Sequence, residues 1–225
     1  MARFYRLEVL NAVVELGLIP MFYHPDLETV KQIVSACRQG GVRVVEFTNR
    51  GDFAIETFSA LSQYVAKVEP DVILGVGSIV DASTAAMYIA AGANFIVAPS
   101  LNPDVARLCN RRKVAFMPGC GSVTEISNAE ELGAEIVKIF PGKELGGPAF
   151  VKALLGPSPW TRILATGGVD VTRDNIQAWF DSGVTAVGIG SNLFKKELIS
   201  GKKFDDISSN VSKLLEWIQE VRKAK

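Results

Sequence analysis

Lys138 lies in the run "EIVKIFPG" (residues 135–142), flanked by Ile136, Val137, Ile139 and Phe140. Those neighbours suit a buried strand, where an ammonium gives up hydration that only a partner or loss of its proton offsets. Burial disfavours the charged form, so such an amine titrates below its ordinary value of about 10.4. A neutral, fixed amine is a nucleophile that forms Schiff bases with carbonyl compounds. The run "VRVVEFTNR" (residues 42–50) carries the complementary groups, Glu46 inside the apolar stretch and Arg50 at its end. A carboxylate beside such an amine moves protons, and an arginine grips a substrate carboxylate through two parallel hydrogen bonds. A structural Lys138–Glu46 ion pair, or a lysine snorkelling out from a strand end, accounts for the same pattern without chemistry.

Strand geometry sharpens the first alternative. Side chains alternate across a strand, so Ile136, Lys138 and Phe140 share one face and Val137 and Ile139 the other. By the same count Val44, Glu46 and Thr48 share a face, opposite Val45 and Phe47. If both polar faces turn inward, the amine and the carboxylate converge.

Two glycine-rich segments follow later runs. "ATGGVD" offers Thr166, Gly167 and Gly168, and "GIGSNLF" offers Gly190 and Ser191. Backbone N–H groups in such loops can receive phosphate, although glycines serving turns alone have the same look. "GVGS", "GCGS" and "GIGS" repeat GxG, yet none completes GxGxxG and no GxxxxGK(S/T) occurs, so a dinucleotide fold is weakly supported. The chain's one histidine, His24, sits in "YHPD", where it fits a loop ahead of a helix start. With one histidine, His-rich zinc sites and paired catalytic histidines are excluded.

The elements that must position these residues read as a repeating pattern. The runs "LGLIPMFY", "VRVVEFT", "VILGVGS", "NFIVAPS", "VAFMPG", "EIVKIF", "RILATGG" and "TAVGIGS" alternate with amphipathic helical stretches. They recur at roughly the 20–28 residues of one β-loop-α-loop unit. Eight such units predict one α/β domain over residues 1–225, a (β/α)8 TIM barrel whose catalytic groups sit at the C-terminal strand ends. An extra N-terminal helix, "RLEVLNAVVELG", precedes the first strand and could close the barrel floor. Asp81, Asp104 and Ser122 are expected helix caps, the last with Glu125 in a capping box. In the C-terminal helix, Ile207, Val211, Leu214, Leu215 and Ile218 form a stripe suited to an outer helix.

Composition narrows the partners. The 24 basic and 24 acidic residues balance, which argues against nucleic-acid or anionic-membrane binding. Cys37, Cys109 and Cys120 are scattered and odd in number, which points to a reducing compartment, the cytosol. Glu8 and Glu15 interrupt the first apolar stretch, so no secretory leader is expected. The charge-free segment between Asp81 and Asp104 contains "AAGAN", which divides it into a buried helix and strand rather than a membrane span.

In this order, "GGVRVVEFTNRG", "LGVGSIVDASTA", "EIVKIFPG", "GGPAFVKALLGP" and "ATGG" resemble the 2-keto-3-deoxy-6-phosphogluconate and 4-hydroxy-2-oxoglutarate aldolases. The resemblance runs from "GLIPMFY" to "GIGSNLF". It implies a class I, Schiff-base aldolase on a TIM barrel, a homotrimer without cofactor or metal. Such an enzyme cleaves a small phosphorylated keto-acid to pyruvate and an aldehyde. By motif, Lys138 is the Schiff-base lysine and Glu46 the proton carrier. Arg50 holds the pyruvyl carboxylate, helped by Gly77 and Ser78, Thr48 and Pro99 are further substrate-binding residues, Phe140 packs beside the lysine, and Thr166, Gly167, Gly168, Gly190 and Ser191 take the phosphate. Tyr23 stands where the family commonly has arginine, Ser78 where it has threonine, and Ala165 where a proline often precedes TGG. These departures leave the chemistry intact and bear on substrate choice. The alternatives are a galactonate-derived substrate, a phosphosugar isomerase or synthase that does not use Lys138, and an inactive phosphosugar-binding protein.

Overall fold

The computed structural model describes residues 2–224. Helix α1 (Arg6–Leu16) comes first, followed by β1 (Leu18–Phe22), α2 (Leu27–Gln39), β2 (Val44–Thr48), α3 (Ala54–Val68) and β3 (Ile73–Gly77). Next come α4 (Ala82–Ala90), β4 (Phe95–Val97), α5 (Pro103–Arg112), β5 (Ala115–Met117), β6 (Gly119–Cys120) and α6 (Val123–Glu131). The remainder is β7 (Val137–Ile139), α7 (Gly147–Leu155), β8 (Ile163–Thr166), α8 (Arg173–Asp181), β9 (Ala186–Ile189), α9 (Lys196–Ser200) and α10 (Phe204–Lys223).

The strands pair in parallel in the order β5-β4-β3-β2-β1-β9-β8-β7-β6. The run "VAFMPG" supplies two strand pieces rather than one, because Pro118 has no N–H to give the ladder. Its carbonyl still accepts from Lys138 N at 2.8 Å. β5 pairs with β4 while β6 pairs with β7, so the two pieces form one stave and the ring closes on it. Eight staves therefore make the (β/α)8 barrel, with α1 added in front.

Alternation divides the core in two. Leu18, Val45, Phe47, Val137, Ile139, Ile163 and Ala165 face outward into the layer beneath the helices. Ile19, Val44, Ile73, Ile136, Leu164 and Ala186 face inward and pack on Val9, Leu10, Ala12 and Val13 of α1. The added helix is thus the barrel's floor. Arg6 holds it there, its guanidinium donating to Val114 O at 3.0 and 3.2 Å and to Asn110 Oδ1 at 2.7 Å.

The helix ends follow local chemistry. Asp81 accepts from Thr84 N at 2.8 Å, and Ser122 accepts from Glu125 N at 3.3 Å. Asp104 is not a cap. Pro103 takes the first helical position, so the residue before it, Asn102, caps α5 and accepts from Asp104 N at 2.9 Å. In α10, Ile207, Val211, Leu214 and Ile218 are buried together with Val221, and Leu215 is only half-buried. The charge-free segment resolves into α4 and β4, and no helix of the described residues is long and apolar enough to cross a membrane.

Candidate active site

Two residues beyond each floor residue, the pleat brings an inward side chain of a second layer: Met21 after Ile19, Glu46 after Val44, Lys138 after Ile136 and Thr166 after Leu164. Lys138 is 5% exposed and Glu46 is 1% exposed. Both reach the barrel axis from strands on different sides of the ring and act on each other electrostatically. No ion pair within 4.0 Å joins them among the described residues. The Lys138 ammonium lies 5.0 Å from the centroid of the Phe140 ring.

The low-dielectric setting works on both groups in one direction, toward the uncharged form. Burial lowers the Lys138 pKa, Glu46 opposes that, and Arg50 adds to it. Burial raises the Glu46 pKa, against the pull of Lys138 and Arg50. The neutral amine is the nucleophilic form, and the carboxylic acid is a proton donor. Glu46 Oε2 is buried without a hydrogen-bond partner, and so is Thr166 Oγ1. Unsatisfied buried oxygens of this kind are what a bound polar substrate would complete.

Gly77 has one requirement. A Cβ there would fall on Glu46 Oε1, so the glycine makes room for the carboxyl. Gly77→Ala is expected to push Glu46 aside, lower kcat by about 10²-fold and destabilise the fold by about 1–3 kcal/mol. Steady-state kinetics and thermal melts check both effects, and unchanged kcat would remove Glu46 placement as the reason for the glycine.

Above this layer lies a cavity of about 450 Å³ at the C-terminal strand ends. Thr48, Arg50, Phe140, Thr166, Gly167, Gly168, Gly190 and Ser191 all line it. Arg50 Nε donates to Ser78 Oγ at 3.3 Å, and Ser78 holds a left-handed backbone with φ +63°. Gly77, Ser78 and Pro99 do not line the cavity. Ser78 and Gly77 act on Arg50 and Glu46 instead, and the Pro99 carbonyl packs against Gly119, the register partner of Lys138.

The β8 and β9 loops form the other wall. Gly142 N and Lys143 N donate to Thr166 O and Gly167 O at 2.8 and 3.1 Å. Trp179 Nε1 donates to Gly168 O at 3.3 Å. Asn192 Nδ2 bridges from the β9 loop to Val169 O at 2.9 Å and to Asp170 Oδ1 at 2.6 Å. The loop carbonyls are thereby turned away. Among the described residues, the N–H groups of Gly168, Ser191 and Asn192 have no acceptor.

Met21, Tyr23, His24, Asn192 and Ile199 also line the cavity and were not among the expected site residues. Met21 follows from the alternation along β1 that placed Glu46 and Lys138. Asn192 directly follows Ser191. Ile199 arrives on the short α9, for which the sequence carries no signal of position.

A sequence model described as the KDPG and KHG aldolases matches residues 9–210. The 2-dehydro-3-deoxy-phosphogluconate aldolase of Treponema pallidum is 36% identical over 165 residues, covering 73% of this chain and 77% of that protein. Its counterpart in Haemophilus influenzae is 28% identical over 213 residues, covering 94% and 97%. Among solved structures, KDPG aldolase from Legionella pneumophila, with pyruvate captured at low pH as a covalent carbinolamine intermediate, superposes with a TM-score of 0.81. It is 25% identical, covering 90% of this chain and 97% of that one. With its family match spanning most of the barrel, this chain belongs to the KDPG and KHG aldolase family.

Proposed function

We propose that this chain cleaves 2-keto-3-deoxy-6-phosphogluconate, or 4-hydroxy-2-oxoglutarate, to pyruvate and an aldehyde through a Schiff base on Lys138. The observation that carries this reading is a nearly buried lysine, driven toward its neutral form, beside a buried glutamate under a cavity with an arginine on its wall.

Neutral Lys138 adds through Nζ to the C2 ketone, giving a carbinolamine like that captured in the Legionella relative. Loss of water leaves an iminium. Glu46, as carboxylate at this stage, takes the C4 hydroxyl proton while the C3–C4 bond breaks. The electron pair of that bond moves toward the iminium nitrogen, giving an enamine and the free aldehyde. Protonation at C3 and addition of water then release pyruvate and restore the amine. Arg50 grips the pyruvyl carboxylate, steadied by Ser78. The free N–H donors of the β8 and β9 loops receive the phosphate of a phosphorylated substrate.

Borohydride reduction with pyruvate, followed by peptide mass spectrometry, tests this directly. A reduced pyruvyl adduct on Lys138 alone is expected. Folded protein without that adduct would sink the aldolase reading and favour an isomerase, a synthase or an inactive binder.

A homotrimer in the cytosol completes the proposal. Phe53, Val80 and Met87, on the adjacent β2–α3 and β3–α4 units, are large, apolar and more than half exposed, which supports self-association.

A further inference from the structure

His24 sits in the loop from β1 to α2 and lines the cavity. Its Nδ1 accepts the backbone N–H of Asp26 at 3.1 Å. A ring nitrogen that accepts carries no proton, so the neutral imidazole keeps its proton on Nε2. Among the described residues Nε2 has no partner. The loop is not free to swing. Asp26 caps α2, its carboxylate accepting from Thr29 N at 2.8 Å and from Thr29 Oγ1 at 2.7 Å.

Strand order puts this donor between the two walls of the cavity. β1 lies between β2 and β9, with Pro20 level with Ile189. A Cβ on Gly190 would meet Met21 O at 3.5 Å, so the two strand ends run on side by side. His24 lines this one cavity together with Ser191 and Asn192, whose N–H groups lack acceptors.

We propose that His24 is a specificity-determining residue whose Nε2–H donates to the terminal phosphoryl group of the substrate, adding a side-chain donor to the backbone donors of the β8 and β9 loops. This inference rests on the aldolase reading for its substrate and deepens it.

His24→Ala is expected to lower kcat/KM for 2-keto-3-deoxy-6-phosphogluconate about tenfold, nearly all of it in KM. Cleavage of unphosphorylated 2-keto-3-deoxygluconate and pyruvate trapping on Lys138 should stay unchanged. His24→Gln should recover most of the loss, because its amide N–H reaches the place of Nε2. An equal loss on both substrates would put His24 at the pyruvyl end or in loop packing and overturn the proposal, as would no loss on the phosphorylated one. Calorimetry with glycerol 3-phosphate, which forms no Schiff base, separates the two hypotheses. A wild-type protein that fails to trap pyruvate rejects the aldolase reading. The His24 contact is then judged on binding alone, where equal affinity of wild type and His24→Ala rejects it.

Discussion

Lys138→Met is expected to lower turnover by roughly 10⁴-fold or more and to leave a protein at least as resistant to heat as the wild type. The first half follows from removing the amine proposed to form the iminium. The second half follows from burial. Lys138 is 5% exposed, and its depressed pKa marks an ammonium the fold does not welcome. Methionine has similar length and no charge, and Glu46, already pushed toward its protonated form, can stay neutral. Calorimetric melts beside turnover assays make the comparison. Loss of activity with marked loss of stability would instead mean that Lys138 is structural, and retained activity would move the chemistry elsewhere.

For wild type, the linkage has a definite sign. Folded Lys138 loses its proton below the unfolded value of 10.5, so stability is greatest above that value and falls as pH drops through the folded pKa. Lys138→Met should remove that slope.

Glu46→Gln is expected to lower kcat by about 10²–10⁴-fold while pyruvate still traps on Lys138. The amide keeps the shape of the side chain and cannot carry the proton. Glu46 also holds the Lys138 pKa up against burial, so its removal lets that pKa fall further. Trapping by the variant should therefore begin at lower pH than in the wild type. Stability responds as well. Folded Glu46 keeps its proton above the unfolded value of 4.5, so its contribution is complete below that value and is lost as pH rises through the folded pKa. That fall should vanish in Glu46→Gln. A trapping onset that does not move, followed by borohydride reduction across pH, would mean the two groups are not coupled.

Much of this site was legible in the sequence because strands obey a period of two. Counting from Lys138 and from Glu46 was enough to predict which neighbours turn outward, and Val137, Ile139, Val45 and Phe47 do so. The first helix was legible as a floor from its place ahead of the first strand. Contacts between distant segments were not. Nothing local in "GVGS" says that Gly77 makes space for a carboxyl of another strand. Nothing in "YHPD" says that a helix cap fixes the tautomer of His24. The split stave at Pro118 is also a tertiary fact, since a proline at a strand end looks the same whether the ring closes on it or not.

The α1 floor has a kinetic consequence. Val9, Leu10, Ala12 and Val13 seal the barrel beneath Lys138, leaving a blind well with its opening at the C-terminal strand ends. In the proposed mechanism, a pyruvyl group on Lys138 would occupy the bottom of that well, with the aldehyde fragment between it and solvent. Under that mechanism products would leave in sequence, the aldehyde first and pyruvate last. In the direction of carbon–carbon bond formation the same mechanism would impose the reverse, a compulsory order in which pyruvate loads before its partner.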